Sequence, residues 1–368
     1  MKLASFNIEN LFDRPKAMNL PTLSAGTPIL KDYSRLNELV QRPTYSATAK
    51  QEMLDIMGRH AGLLGPNKAS KFIILRDIRG QLFRKPKSAP AEIVAGGRGD
   101  WIGWFELLTE PIKETATENT ARIIGLLDAD VLCVVEAEDR TGLKRFNEDV
   151  LPRVGVTPYE HVMLIDGNDE RGIDVAILCR QGFSIVRMLS HVDDTDADGI
   201  IFSRDCAEYE IQTALGNRLL VLVNHFKSKI GGGGGKRLRQ AQRVREIYDS
   251  RLAEGHEFVA VVGDLNETPD EPSMDPLIRD GSTLSDIMVH SKFAGDGRPG
   301  THGNGTKSSK LDYILMSPKL SAKVKSGRIE RSGVWGGQNG TLFPHLPEIA
   351  TAKDAASDHA ALVADFNL

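Results

Sequence analysis

The feature that most restricts how this chain folds is a set of short apolar runs that each adjoin chemically reactive polar residues. These runs are Met1–Phe6 before Asn7, Val131–Val135 before Glu136, Ile173–Leu178 around Asp174, Leu219–Val223 before Asn224, Phe258–Val262 before Gly263, Leu311–Met316 around Asp312, and Ala361–Phe366 after His359. Short continuous runs of Val, Ile and Leu are typical of strands that are covered on both faces. Between some of these runs, over Glu110–Leu127 and Lys236–Ala253, apolar residues recur at helical spacing. The pattern predicts a layered α/β or α+β domain.

Charge is distributed unevenly along the chain. The 368 residues are 40% apolar and carry a net charge of −4, which by itself indicates little about partners. Residues 14–108 hold 15 lysines and arginines against 8 aspartates and glutamates, a net charge of +7, which leaves −11 on the rest. In this basic segment we predict a helix over Ser46–His60 and a hairpin around Lys71–Phe83. The segment is interpreted either as a solvated surface insertion or as a patch for a polyanion.

Cysteine usage and the N-terminus bear on the compartment. Cys133, Cys179 and Cys206 are widely spaced, and no pair has the spacing of a redox or zinc motif, so we expect core thiols in a reducing compartment. Asparagine and glutamate interrupt Met1–Phe12 where a signal peptide needs unbroken apolar residues. No 18 apolar residues run together, so no membrane span is expected. The default expectation is a cytoplasmic protein without a membrane partner.

The polar residues beside the apolar runs match the requirements of phosphate-ester hydrolysis. The negative ester must be neutralised by a hard cation, for which carboxylate and amide oxygens are the preferred ligands. The attacking water must be oriented and deprotonated, and the leaving oxygen must be stabilised. The chain offers oxygen ligands or amides at Asn7, Glu9, Glu136, Asp264, Asn266 and Asp358, and imidazoles at His225 and His359. Any one of these residues alone is more typical of a turn or a helix cap, and only their repetition at strand ends indicates a site.

The order of these motifs resembles a known family. The motifs are Ser5–Glu9, Val135–Glu136, Arg171–Ile177, Asn224–His225, Gly263–Asn266, Leu311–Ile314 and Ser357–His359. They are similar to those of the endonuclease/exonuclease/phosphatase, or deoxyribonuclease I-like, superfamily, and Asn224–Lys229 is most similar to its bacterial nuclease-like members. The resemblance covers residues 1–13 and about 109–368. It implies a single domain over 1–368, a four-layer sandwich of two mostly antiparallel sheets flanked by helices, with 14–108 inserted after the first strand.

The resemblance also implies a metal site. Glu136 would be the main ligand, aided by Asn7, Glu9 and Asp358. The cation would be Mg²⁺ or Mn²⁺, as one ion or two. Many members have a shorter acid or a neutral residue at the position of Glu9, so this residue departs from the usual pattern.

Catalytic roles follow from the same resemblance. Asp264 and Asn266 would position or deprotonate the attacking water and contact the phosphate. His359, held by Asp312, would contact the scissile phosphate or act as the base. His225 would face the phosphate from the other side.

Other catalytic motifs fail on this sequence. Gly235–Lys236 is similar to a phosphate-binding loop, but Ile230 stands where the first glycine is needed and Arg237 where serine or threonine is needed. The chain has no HExxH motif and no G-x-S-x-G nucleophile elbow. Direct attack by water is therefore expected, without a protein nucleophile.

Two features bear on the substrate. Residues 227–245 contain seven basic residues and no acidic ones, beginning just after His225. The residues expected to bind substrate are Arg171, Asn224, Lys227, Lys229, Lys236, Arg237 and Arg239. For Arg171, a structural salt bridge is an equally good interpretation. Trp101 and Trp104 are interpreted either as base-stacking residues or as the core of the basic segment.

Three functions are compatible with these observations. The leading hypothesis is a divalent-metal nuclease with a DNA or RNA substrate. The second is the same chemistry on a smaller ester, such as an inositol phosphate, a nucleotide or a lipid head group. The third is a catalytically inactive binding module, against which the complete set of catalytic residue types argues. The sequence gives no indication of a protein partner.

Overall fold

The computed structural model describes residues 1–20, 23–169, 171–230 and 232–368. In chain order the strands are β1 (Lys2–Asn7), β2 (Asp13–Pro15), β3 (Ile73–Arg79), β4 (Phe83–Arg84), β5 (Glu92–Ile93), β6 (Ile102–Leu107), β7 (Thr109–Pro111), β8 (Val131–Ala137), β9 (His161–Ile165), β10 (Asp174–Cys179), β11 (Ser184–Leu189), β12 (Thr195–Asp196), β13 (Gly199–Ile200), β14 (Cys206–Gln212), β15 (Arg218–His225), β16 (Val259–Asp264), β17 (Ser285–Asp286), β18 (Phe293–Ala294), β19 (Asp312–Met316), β20 (Val324–Glu330) and β21 (Ala361–Phe366). The α-helices are α1 (Leu23–Val40), α2 (Ala47–Arg59), α3 (Glu114–Leu127), α4 (Arg140–Arg145), α5 (Gly234–Ala253), α6 (Asp275–Ile278) and α7 (Pro318–Ser321). Contacts divide the chain into a first unit, Met1–Phe12 with Ile112–Lys229 and Gly233–Leu368, and a second unit, Asp13–Pro111 with Ile230–Gly232.

Two mixed sheets form the first unit. One has seven strands in the order β18-β20-β21-β1-β8-β10-β9, and the other has six in the order β11-β14-β15-β16-β19-β17. The β1–β8, β18–β20 and β15–β16 pairs are parallel, and the other pairs in these sheets are antiparallel. The expectation of two mostly antiparallel sheets thus becomes two mixed sheets in which antiparallel pairs are the majority.

The apolar runs of the sequence are the strands at the centre of these sheets. Every residue of β8 and of β16 is buried, as expected for strands that are covered on both faces. The inner faces pack together through residues such as Val135 and Ile177 against Val221 and Ile314. Complete burial of one such side chain contributes about 1.5–3 kcal/mol relative to its exposure.

Helices cover the outer faces of both sheets. Helix α3 packs on the seven-stranded sheet through Ile124 and Leu127, and α5 packs on the six-stranded sheet through Val244 and Tyr248. Helix α5 begins close to the predicted start, whereas α3 begins at Glu114, after the predicted Glu110. Helix α3 begins later than predicted because the residues up to Pro111 belong to β7, which pairs with β2. The first unit is therefore layered as helix, sheet, sheet and helix.

The second unit has its own apolar core, which contains Met53, Trp101 and Phe105. Helix α2 agrees with the predicted helix, and the Ser46 hydroxyl caps it by accepting a hydrogen bond from the Ala49 N–H at 3.2 Å. The core interpretation of Trp101 is confirmed, since this residue is 1% exposed and its indole N–H donates to the Tyr45 hydroxyl at 3.0 Å. Trp104, on β6, is half-buried.

The predicted hairpin around Lys71–Phe83 is wrong. Strand β3 pairs antiparallel with β6, and Phe83 belongs to β4, which pairs with β5. The residues between β3 and β6 form this second ladder, so the partner of β3 comes from a later part of the chain. Local sequence identifies such a strand but not its distant partner.

Cys133, Cys179 and Cys206 are buried and form no disulfide, and burial raises the pKa of each thiol. The prediction of core thiols is confirmed. Among the helices of the described residues, none has both the length and the apolar character needed to cross a membrane.

Candidate active site

Polar side chains from both sheets meet at the ends of their central strands. Asn7 ends β1, and Glu136 lies near the end of the parallel neighbour β8. In the other sheet His225 pairs with Asp264 across β15 and β16, and Asp264 pairs with Asp312 across β16 and β19. Parallel neighbours end at the same edge of a sheet, so the register alone places these residues side by side.

The carboxylate of Asp264 is at the centre of this group. Its Oδ2 accepts hydrogen bonds from the side-chain amides of Asn7 and Asn266, each at 3.2 Å. The backbone N–H of Asn266 donates to Oδ1 at 2.8 Å. Nε2 of His225 lies 3.8 Å and Nε2 of His359 lies 3.9 Å from Asp264 Oδ2, so two imidazoles face one buried oxygen.

The His359 ring is fixed from behind by Asp312. Its Nδ1 lies 2.8 Å from Asp312 Oδ2, and both side chains are buried. Burial opposes the charged imidazole, but the Asp312 charge and hydrogen bond outweigh it and raise the pKa of His359 well above its usual value. The hydrogen bond leaves Nε2 as the ring nitrogen that faces the site.

The environment of His225 has the opposite electrostatic effect. Burial lowers the pKa of this imidazole well below its usual value, and the Arg204 and Arg171 charges lower it further. Nε2 of His225 lies 3.7 Å from Glu136 Oε1. Its Nδ1 is buried and has no hydrogen-bond partner within the described part of the chain.

Glu9 and Asp358 lie beside this centre, and the Glu9 side chain is hydrogen-bonded to the Asp358 backbone. The Glu9 carboxylate accepts the Asp358 N–H at 3.0 Å, and Asp358 Oδ1 lies 3.8 Å from His359 Nε2. Glu9, Glu136 and Asn266 have φ values of 52°, 70° and 50°. Non-glycine residues in this left-handed region are uncommon and cluster at functional sites, because only a constraining environment maintains them.

The donor set fits a divalent cation. Burial, together with repulsion from Asp312 and Glu136, raises the pKa of Asp264 to about 7, which reflects carboxylates crowded with little solvent. A cation among them would relieve this repulsion. Asp264, Asp312 and His359 place one ligand atom each within 4.8 Å of the others. With the Glu136 carboxylate 3.7 Å from His225 and the Asn7 amide in contact with Asp264, the residues fit an ion that prefers oxygen ligands.

His302 is a site residue that the sequence analysis missed. Its Nε2 lies 3.2 Å from Asp358 Oδ2, and its ring is 4.7 Å from the His359 ring between centroids. It lies in a polar loop and follows no apolar run, so the strand-end pattern gave no signal for it. Asp358, His359 and His302 form a second group whose ligand atoms lie within 4.8 Å of one another.

Most residues expected to bind substrate have partners within the protein. Arg171 forms two hydrogen bonds with Asp169, at 3.0 and 2.8 Å, which is the structural salt bridge considered as the alternative for it. Lys229 and Arg237 both pair with Glu267, at 2.7 and 2.9 Å. The sequence could not indicate Glu267, because it comes from another segment, whereas Asp169 is only two positions before Arg171.

The remaining residues of this set differ in their surroundings. Arg239 pairs with Asp196 through its Nε at 2.6 Å. Asn224 is fully buried, and its amide donates to the Leu222 carbonyl at 3.0 Å, within the same strand. Burial lowers the pKa of Lys227 to about 8, with Arg204 and Arg171 contributing, and burial also lowers the pKa of Lys236.

A buried group of carboxylates, amides and imidazoles at the adjoining edges of two packed sheets is typical of hydrolases that cleave phosphate esters. A model of the Endonuclease/Exonuclease/phosphatase family matches residues 103–317, more than half of the chain, and the chain therefore belongs to this family of phosphoesterases. Comparison with curated proteins gave no match.

Solved structures share the fold. A family member from Bacteroides thetaiotaomicron is 20% identical, with 67% of this chain and 86% of that chain covered and a TM-score of 0.50. A mannosyl-6-phosphatase from the same organism is 18% identical, with 69% and 92% covered and a TM-score of 0.50. The human Nocturnin catalytic domain with bound sulfate is 20% identical, with 70% and 88% covered and a TM-score of 0.51. At these identities the similarity concerns the fold.

Proposed function

We propose that this protein is a divalent-metal-dependent nuclease that hydrolyses phosphodiester bonds of DNA or RNA by direct attack of water. The observation that carries the proposal is the convergence of two imidazoles and two side-chain amides on the buried Asp264 carboxylate. This arrangement combines groups that orient water with groups that stabilise a phosphoryl oxygen.

The residues divide into a cation-binding side and a water side. Glu136, Asn7, Glu9 and Asp358 would hold Mg²⁺ or Mn²⁺, which supplies neutralisation of phosphate charge and polarisation of the ester. Asp264 accepts hydrogen bonds from Asn7 and Asn266, and these hold its carboxylate in one orientation for the attacking water. Little reorganisation is then needed when the reaction begins.

The two histidines complete the site from opposite directions. Asp312 holds Nδ1 of His359, and Nε2, which faces Asp264, would contact the reacting phosphate. Burial keeps His225 neutral between Glu136 and Asp264. A neutral imidazole exchanges a proton readily, whereas an imidazolium supplies charge, so the two rings make different contributions.

The charge near His225 favours a polyanionic substrate. Arg204 acts electrostatically on His225, Lys227 and Lys236, so several cations lie in one region of the first unit. Lys236 has no ion pair within the described residues, and its pKa is lowered partly by neighbouring arginines. Such a region attracts the phosphate backbone of nucleic acid.

The internal ion pairs favour a second candidate, a phosphatase or phosphodiesterase acting on a small phosphate ester. Lys229, Arg237 and Arg239 are engaged by Glu267 and Asp196, which leaves fewer cations for an extended backbone. A small ester, such as an inositol phosphate or a nucleotide, needs only the cations beside the reacting phosphate.

One experiment separates these functions. The protein is incubated with plasmid, single-stranded DNA, RNA and small phosphate esters in Mg²⁺ or Mn²⁺, with an EDTA control. Asp264→Ala tests the site, and Asp270→Ala is the matched control because Asp270 is exposed and pairs only with Lys307 among the described residues. We expect nucleic-acid cleavage that needs both the metal and Asp264 and is unchanged in Asp270→Ala.

The other outcomes are equally specific. Phosphate release from small esters without nucleic-acid cleavage would establish the second candidate instead. Binding of nucleic acid without turnover of any substrate would show an inactive binding module. Cleavage that persists in Asp264→Ala would contradict the assigned site.

A further inference from the structure

His302 extends the site beside Asp358 and adds a second imidazole to this carboxylate. The two oxygens of Asp358 face different rings: Oδ2 lies 3.2 Å from His302 Nε2, and Oδ1 lies 3.8 Å from His359 Nε2. One carboxylate therefore lies between two imidazole nitrogens, and the three ligand atoms are within 4.8 Å of one another.

The backbone holds these three side chains together. His302 and His359 form an antiparallel bridge pair. The Gly303 N–H donates to the Asp358 carbonyl and the Ala360 N–H donates to the Thr301 carbonyl, both at 2.7 Å. The two segments are thus hydrogen-bonded on either side of the bridge, and the cluster does not depend on long, mobile side chains. Such rigidity is needed to hold metal ligands in a productive geometry.

The hydrogen bond of His359 fits a metal ligand. Its Nδ1 lies 2.8 Å from Asp312 Oδ2, so the Nδ1–H donates to the carboxylate and Nε2 becomes a ligand when a cation displaces its proton. A histidine that binds metal through one nitrogen usually donates its other N–H to a carboxylate or carbonyl, which fixes the tautomer and increases ligand basicity. Asp312 is placed to do this for His359.

We propose that His302, Asp358 and His359 form a cation site with two nitrogen ligands and one carboxylate, which binds ions such as Mn²⁺ or Zn²⁺ in preference to Mg²⁺. Imidazole is a good ligand for first-row transition ions, whereas Mg²⁺ prefers a shell of oxygens. The His302 side chain is 24% exposed, which gives an ion a path from solvent. Asp264 also lies between two imidazoles, those of His225 and His359, but its carboxylate already accepts three hydrogen bonds from Asn7 and Asn266.

This inference rests on the proposed metal dependence and changes the role of His359. With an ion in the site, His359 contributes to phosphate binding as a ligand of that ion rather than through direct contact. The identity of the substrate has no influence on the inference, so its test counts bound ions and needs no turnover.

Mn²⁺ binding to the purified full chain tests the site. Free Mn²⁺ is followed by electron paramagnetic resonance during titration of the wild type, His302→Ala, His302→Gln and the control His345→Ala. His345 is a half-buried histidine that stacks on Trp335 in another loop. We expect both His302 variants to lose one Mn²⁺ per chain or to bind it more weakly by more than the roughly 10–100-fold that loss of an outer-shell partner typically costs. The control should bind as the wild type does.

The glutamine variant separates ligation from positioning. Its amide can still donate to Asp358 but does not replace an imidazole nitrogen, so wild-type Mn²⁺ binding by His302→Gln would overturn the proposal. Electron spin-echo modulation provides a second readout, in which the ¹⁴N coupling to bound Mn²⁺ should decrease in both His302 variants. Unchanged coupling would also overturn it. The proposed site shares Asp358 with the oxygen ligands Glu136, Asn7 and Glu9. A tenfold excess of Mg²⁺ should displace Mn²⁺ first from these oxygen ligands, and equal displacement from both sites would contradict the stated preference.

If Mn²⁺ binding follows these expectations but no nucleic acid is cleaved, the cation site stands and the proposed nuclease function does not. If nucleic acid is cleaved but the His302 variants bind Mn²⁺ as the wild type does, the proposed nuclease function stands and the cation site does not.

Discussion

At the scale of single residues, the site depends on differences between chemically similar groups. His225 and His359 both face Asp264 Oδ2, at 3.8 and 3.9 Å, yet burial beside arginines lowers the pKa of His225 while Asp312 raises that of His359. Opposite shifts in neighbouring titratable groups are typical of sites where one group takes up a proton and another supplies charge.

Asp312→Asn tests whether the Asp312 charge raises the pKa of His359. The amide keeps the shape of Asp312 but removes the charge, so the pKa of His359 should fall and its tautomer should no longer be fixed. We expect turnover to decrease by about 10²–10⁴-fold with a small change in KM, as for other carboxylates that orient a catalytic histidine. Steady-state kinetics measures the first effect, and NMR titration of the His359 ring in EDTA measures the second. A large loss of turnover with an unchanged His359 pKa would indicate a different role for Asp312.

Asp174 provides a prediction about stability and pH. Burial, with repulsion from Asp166 and Asp169, raises its folded-state pKa to about 7 from 3.8. The folded state therefore binds more protons than the unfolded state between these values, and the ionised group costs stability that is recovered as pH falls. Asp174→Asn keeps an oxygen for the Gly167 N–H, which donates to Asp174 Oδ1 at 2.7 Å.

The expected gain of Asp174→Asn is largest where the wild-type carboxylate is ionised. At pH 8 the variant should be more stable by about 2 kcal/mol, less than the full shift implies at about 1.4 kcal/mol per pKa unit, because solvent screens part of the charge. The difference should disappear towards pH 4. Urea unfolding at several pH values measures it, and a pH-independent difference would refute the explanation.

The residues that the sequence predicted correctly to lie together share one property. Asn7, Glu136, His225 and Asp264 each adjoin a continuous apolar run, and strand register then aligns them. His302 has no such run, and the acidic partners of Arg237 and Arg239 come from segments far away in the sequence. A single sequence encodes periodicity directly, but it encodes side-chain pairing only through the complete fold.

At the scale of elements, strand order was harder to predict than strand position. The β3 segment was expected to turn back on itself, but its partner β6 lies beyond the β4–β5 ladder. The boundaries of α2 and α5 were close to expectation, since a helix satisfies its hydrogen bonds locally. A strand forms its hydrogen bonds with a partner that can be distant in the sequence, so the order of strands in a sheet could not be predicted from the sequence alone.

Strand β16 offers a prediction at this scale through Gly263. Its φ is +122°, and a Cβ there would lie 2.0 Å from the Asn224 carbonyl oxygen on the neighbouring strand β15. Gly263→Ala should therefore destabilise the fold by about 3 kcal/mol or more and reduce turnover, because Asp264 would be displaced. Gly255→Ala is the matched control: its φ is +95°, but no atom lies within 4 Å of the added Cβ. It should cost only about 1 kcal/mol, the strain of the left-handed conformation. Thermal unfolding compares the two, and equal losses would show that close strand approach is unimportant.

At the scale of the whole molecule, residues 14–108 carry a net charge of +7 and the rest of the chain carries −11. Many arginines of the second unit are paired, for example Arg59 with Asp32 and Arg76 with Glu106. Lys85 and Lys87 are exposed, and neither has an ion pair within the residues that the structure describes. The two interpretations of the basic segment, a patch for a polyanion and a solvated surface insertion, therefore differ in whether these two lysines contact a polyanion.

Salt dependence answers this question. A protein that contacts phosphates with lysines releases counterions from nucleic acid, so its affinity falls with salt concentration at a slope of about 0.9 per contact for duplex DNA and about 0.7 for single strands. If the second unit binds nucleic acid, Lys85→Ala/Lys87→Ala should weaken binding and reduce the slope of log Kd against log salt by about 1.4 for single strands and about 1.8 for duplex DNA. Lys319→Ala/Lys325→Ala, which removes the same charge from exposed positions of the first unit, should leave the slope unchanged. Fluorescence anisotropy with a labelled oligonucleotide between 50 and about 200 mM salt measures both variants. An equal effect of the two pairs would show that net charge alone matters, and no effect of either would leave the second unit as a solvated surface segment that does not grip substrate.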